Sequence, residues 1–167
     1  DILKLERPTY LDIGAADPVA VNNTYLLRTL GSRGVLVEPN PFYVERLRSK
    51  RPEDVVVAAG VGVGEVAEAD YYVIRGKPML NTFDRATAER RTRQGDSIEE
   101  VVKMPLVPVM RIIDEHLHAA PDLLSIDAEG MDLDIVKSLD LNQYRPPVIC
   151  AETKGPTITH ESTELAK

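Results

Sequence analysis

The chain has no tryptophan, a single cysteine, and aromatic residues at only 5% of its 167 positions. One cysteine, Cys150 in the run PPVICAE, excludes an internal disulfide framework. It reads as a small buried hydrophobe, in keeping with a reducing, cytoplasmic setting. No apolar run reaches the ~18 residues that would span a bilayer, and the amino terminus shows no basic segment leading into an apolar one. Positive charge is also in deficit. With 27 acidic against 20 basic side chains the formal charge is -7, which repels a phosphate backbone as a whole. The densest basic stretch, AERRTRQG at 88–95, lacks interleaved aromatics and reads as a solvated helix face, so no nucleic acid partner is expected. What is present, 43% hydrophobic and 28% charged residues, is enough for one hydrophobic core, and a single domain over 1–167 is the expectation.

Read in order, the chain alternates short apolar runs with amphipathic ones. PTYLDI at 8–13 ends at Gly14 and suits a buried strand. Asn22 or Asn23 can cap a helical segment whose apolar stripe is Tyr25, Leu26, Leu27 and Leu30, closed by Gly31. VLVE at 35–38 is strand-like, and Pro41 then opens a helix with Phe42, Val44 and Leu47 toward one side and Arg and Lys near its end. DVVVAAGV at 54–61 reads as a third buried strand, and 65–76 as a further strand or hairpin. The polar region 77–103 shows only one short helical pattern, ATAERRTRQ. MRIIDEHLHAA at 110–120 reads as a helix, DLLSIDAEG at 122–130 as strand, acid and glycine, MDLDIVKSLDL at 131–141 as an amphipathic helix, and PPVICAE at 146–152 as a last strand. Apolar strands alternating with helices predict a mostly parallel sheet covered on both faces, with ligands beyond the carboxyl ends of its strands.

Three strand candidates end in an acid: Asp12 before Ile13 and Gly14, Glu38 before Pro39 and Asn40, and Asp127 before Ala128, Glu129 and Gly130. In a parallel sheet all three lie along one edge. Gly14 lets the chain turn and brings backbone N–H groups toward a ligand. Glu38 follows it by 24 residues, a spacing suited to holding the two hydroxyls of a ribose. A pyrophosphate turn would need glycines at G-x-G-x-x-G, but Ala16 replaces the middle one and Asp17 adds negative charge. A nucleoside with a zwitterionic tail, such as S-adenosylmethionine, suits the turn better. Plainer readings stand beside these: Asp12 as a turn cap, Glu38 as a partner for a neighbouring loop, Asp127 and Glu129 as caps of the next helix. His116 and His118 do not share a helix face, so no metal pair is expected. A nicotinamide-dependent oxidoreductase and a non-catalytic nucleoside-binding module are the competing classes.

The combination of YLDIGAADP at 10–18, NNTYLLRTLGSRGVLVEPNP at 22–41, E-V-x-x-x-x-Y-Y-V at 65–73, DLLSIDAEGMDLDIVKSLDL at 122–141 and RPPVICAE at 145–152 resembles the FkbM family of S-adenosylmethionine-dependent methyltransferases. The resemblance implies a Rossmann-like class I methyltransferase fold and methyl transfer to a hydroxyl oxygen of a sugar, glycan or polyketide-type small molecule. Carried over by position, it places Asp12, Gly14 and Ala15 at the methionine end of the cofactor. Glu38 falls at the ribose, Pro39 and Asn40 on the adenosine side, Asn23 and Thr24 as braces, and Asp127 as an approach from the fourth core strand. Glu129 is the expected base or acceptor-orienting group, with Asp127 beside it; a divalent ion on Asp127 and Glu129 is a secondary alternative. The chain departs from the family at Pro18, often glycine, and at Ser125, often lysine. The last antiparallel strands of the fold are not evident after Glu152, so the carboxyl end is expected to be incomplete.

Overall fold

A computed structural model of the chain describes residues 6–64, 66–128 and 130–152. Four apolar runs form the centre of the architecture: β1 (Tyr10–Ile13), β2 (Gly34–Val37), β7 (Leu123–Ile126) and β8 (Val148–Ala151). With β3 (Val55–Val57) they make a five-stranded sheet in the order β3-β2-β1-β7-β8, every pair parallel. The order reverses at β1. Such a reversal separates the crossovers on either side and leaves a crevice beyond the strand ends.

The period of two along β1 and β2 divides the core between the two faces of this sheet. Leu11, Ile13, Val35 and Val37 pack on one side with Ile112, Ile113 and Ile135. The last three belong to α4 (Val109–Ile112), the π-helical turn Ile113–Leu117 and α5 (Asp132–Lys137). Tyr10 and Leu36 face the other side, against Leu47 of α2 (Pro41–Lys50). Pro41 does open α2, and the Asn40 side chain accepts the Phe42 N–H to cap it. Tyr43, Val44 and Leu47 are its buried residues, while Phe42 is 53% exposed. The helix α1 is only Tyr25–Thr29 and buries none of its residues fully. Its expected stripe fails at Leu26 and Leu30, which face solvent. Polar contacts of Asn22 and Thr24 hold its start instead.

Two expectations change for physical reasons. DVVVAAGV is not one strand: Ala58 and Ala59 carry the chain out of β3 and into β4 (Gly60–Gly62), which belongs to a second sheet. The stretch 65–76 holds the expected strand, β5 (Glu68–Ile74), and the polar region after it holds the short helix read there, α3 (Arg85–Arg93), and an unexpected strand, β6 (Ile98–Pro108), whose 11 residues run antiparallel to β5 in the order β4-β6-β5. Much of β6 is exposed, so its composition carries no buried-strand signature. Cys150 is exposed rather than buried, because β8 is the last strand of its sheet among the described residues. Among those residues no helix is long and apolar enough to cross a membrane.

Candidate active site

The register of the parallel sheet sets the site. Ile13 pairs with Val37 on one side and with Ile126 on the other, so Gly14, Glu38 and Asp127 emerge at one level from three adjacent strands. Gly14 has a φ of 80°, and a Cβ there would overlap the carbonyl oxygen of Asp127. Glycine is demanded by that close approach of two strand ends. The N–H groups of the turn are spent within the protein: those of Gly14 and Ala15 reach the Val37 carbonyl, and that of Ala16 reaches Glu38 Oε2 at 2.9 Å. The expectation that this turn offers them to a ligand is therefore corrected.

Glu38 is 5% exposed. Its Oε1 accepts the Asn40 N–H at 2.8 Å, so each carboxylate oxygen holds one backbone donor and keeps a second lone pair for another. Burial pushes its pKa up to about 7, against the pull of those two N–H groups. Asp12 lies one step below the rim and turns away from it. Its carboxylate accepts the Thr24 hydroxyl at 2.7 Å, and burial raises its pKa against the pull of that hydroxyl and of the nearby Ser125.

Behind Asp12 stands a polar cluster that sequence reasoning passed over. Arg51 is fully buried. It bonds Asp54 Oδ2, Asn22 Oδ1 and the Tyr10 hydroxyl, each at 2.8 Å, and Thr24 Oγ1 at 3.0 Å. Asp54 also accepts the Tyr10 hydroxyl and the Gly34 N–H. A charge this deep is tolerated only with such complete pairing.

A cleft opens above the rim, enclosing about 820 Å³ with its solvent-open mouth included. Of the residues singled out from sequence, Gly14, Glu38, Pro39 and Asp127 line it. Asp12, Ala15, Asn23, Thr24 and Asn40 are not in its lining: Asn23 bonds Ser125 Oγ at 3.1 Å, and Asn40 caps α2. Glu129 lies outside the described residues. The opposite wall comes from the hairpin region, with Tyr71, Asn81 and Phe83. Asn81 and Phe83 were missed because they sit in the irregular polar segment, and Tyr71 because the strand expected at 65–76 gave no sign of facing the cleft. Asp132 was missed too. Its carboxylate accepts the Ala128 and Gly130 N–H groups at 3.2 and 3.1 Å, tying down the turn after β7 from the first residue of α5. Among the described residues no group of three His, Cys, Asp or Glu side chains could hold a metal ion.

This arrangement fits S-adenosylmethionine on its own terms. A buried carboxylate with lone pairs to spare suits paired hydroxyls, an exposed carboxylate at Asp127 suits a cationic tail, and an apolar wall suits a flat base. No curated protein and no solved structure matches the chain significantly. The family model described as the methyltransferase FkbM domain matches residues 12–165. This match over most of its length makes the chain a member of the FkbM methyltransferase family.

Proposed function

We propose that the protein binds S-adenosylmethionine in the cleft above β1, β2 and β7 and transfers its methyl group to a hydroxyl oxygen of a sugar, glycan or polyketide-type small molecule. The observation that supports this best is the position of Glu38, buried, level with Gly14 and facing the cleft. In this reading Glu38 accepts both ribose hydroxyls on the lone pairs its backbone donors leave over. Pro39 covers the adenosine side, and Asp127 approaches the cationic end. Asp12, Ala15, Asn23, Thr24 and Asn40 hold the surrounding loops in place, each through the contacts described above or its own burial.

When bound, the sulfonium supplies an electrophilic methyl carbon. The chain's own part is to align the acceptor oxygen with it and to exclude water, which supplies much of the rate in a displacement of this kind. Glu129 is proposed to take or orient the hydroxyl proton, a role open to a carboxylate within hydrogen-bond reach. Asp132 holds the Ala128 and Gly130 N–H groups, the neighbours of Glu129 in sequence.

Isothermal calorimetry of the protein with S-adenosylmethionine and S-adenosylhomocysteine tests the reading. Saturable binding of both is expected, and its absence would reject methyl transfer. Glu129→Gln is expected to lower turnover strongly with little loss of cofactor affinity; near-normal turnover would remove its role as base.

A further inference from the structure

At the end of β3 the chain runs Val57, Ala58, Ala59, Gly60 and Val61, with no side chain able to hydrogen-bond a nucleobase. Polar groups on that side of the cleft come from the hairpin instead. Tyr71 of β5 is 4% exposed and its ring lies 4.7 Å, centroid to centroid, from that of Phe83 at an angle of 50°. Phe83 in turn lies against Gly60, where a Cβ would come within 2.6 Å of its Cζ. The absence of a side chain at Gly60 lets this flat aromatic surface close on the strand end.

Asn81 stands beside Tyr71 in the same wall. Its Oδ1 accepts the Ile74 N–H at 2.9 Å, which leaves its amide N–H groups as the side available to the Tyr71 oxygen. A phenol beside an amide donor still has its own hydrogen to give. Among the described residues no acceptor takes it, and both Tyr71 and Asn81 line the cleft that Glu38 lines.

We propose that Tyr71, with Asn81 beside it, donates its hydroxyl hydrogen to a ring nitrogen of the adenine, so that recognition of the base resides in the hairpin and not at the end of β3. This rests on the cofactor reading above. Calorimetry with S-adenosylhomocysteine and its 1-deaza, 3-deaza and 7-deaza analogues tests it, each analogue lacking one ring acceptor. Tyr71→Phe keeps the ring and is expected to weaken S-adenosylhomocysteine binding roughly three- to tenfold, the effect of one neutral hydrogen bond. One analogue should bind the unsubstituted protein with the same loss and bind Tyr71→Phe no worse. Asn81→Asp preserves the acceptor for Ile74, but the new carboxylate captures the phenol hydrogen, so its affinity should fall to the level of Tyr71→Phe with the hydroxyl still present. Unchanged affinity in Tyr71→Phe, equal further losses with all three analogues, or an effect confined to the acceptor's KM overturns the proposal while leaving the cofactor reading intact. No binding by the unsubstituted protein overturns both.

Discussion

Glu38 Oε2 accepts the backbone N–H of Ala16 at 2.9 Å, and Ala16 holds a left-handed φ of 46°. An alanine in that conformation costs about 1 kcal/mol, so the acid proposed for the ribose also steadies the turn that a more glycine-rich sequence would reach without strain. Substituting it therefore disturbs both partners of one contact.

The pKa of about 7 at Glu38 gives cofactor binding a pH dependence. Burial disfavours the charged form, so the folded pKa stands above the ordinary carboxylate value. The acid's contribution to the stability of the free protein is thus present at low pH and declines as pH rises toward 7. Ribose hydroxyls favour the ionised form, so binding should strengthen by about tenfold between pH 6 and pH 8. Calorimetry across that range should show the rise, and Glu38→Gln should abolish it and bind weakly throughout, since an amide N–H₂ then opposes a backbone N–H.

Gly14→Ala should lower stability by more than about 2 kcal/mol, because the added carbon meets the Asp127 carbonyl and φ is positive. Urea titration checks this. A smaller change would mean that β1 and β7 part at their ends at little cost.

Arg51→Met should destabilise the fold by roughly 3–5 kcal/mol, as Asp54 would be left buried without its partner. The double replacement Arg51→Met with Asp54→Leu should recover part of that loss in the same denaturation experiment.

Asp132→Ala should cost roughly 1–3 kcal/mol through the orphaned Ala128 and Gly130 N–H groups. Turnover should fall more than cofactor affinity, because the loosened turn lies on the proposed acceptor side; equal losses in both would count against that division of roles.

The strands that carry the rim acids were legible because a parallel strand covered on both faces must be apolar along its length, and VLVEPNP and DLLSIDAEG show where each run stops. Depth was not legible. Asp12, Glu38 and Asp127 read alike as acids at strand ends, yet the pleat turns Asp12 aside to Thr24 while the other two stand at the cleft. Of the hairpin, β5 falls in the strand read at 65–76, but β6 was hidden because it is half solvated and interrupted by Pro105, so neither alternation nor a continuous apolar run marks it. Arg51 reads as one more cation at the end of α2, and only its tertiary partners show it to be buried.

The two-residue passage from β3 into β4 ties the cleft's far wall to the strand beside the one that bears Glu38. Covalent continuity thus joins packing in setting the spacing between the wall and the acid. Exchanging the hairpin between Gly62 and Pro108 for another of different shape would refashion what the cleft admits while the acid keeps its height above the sheet, making this segment the natural place to redesign selectivity.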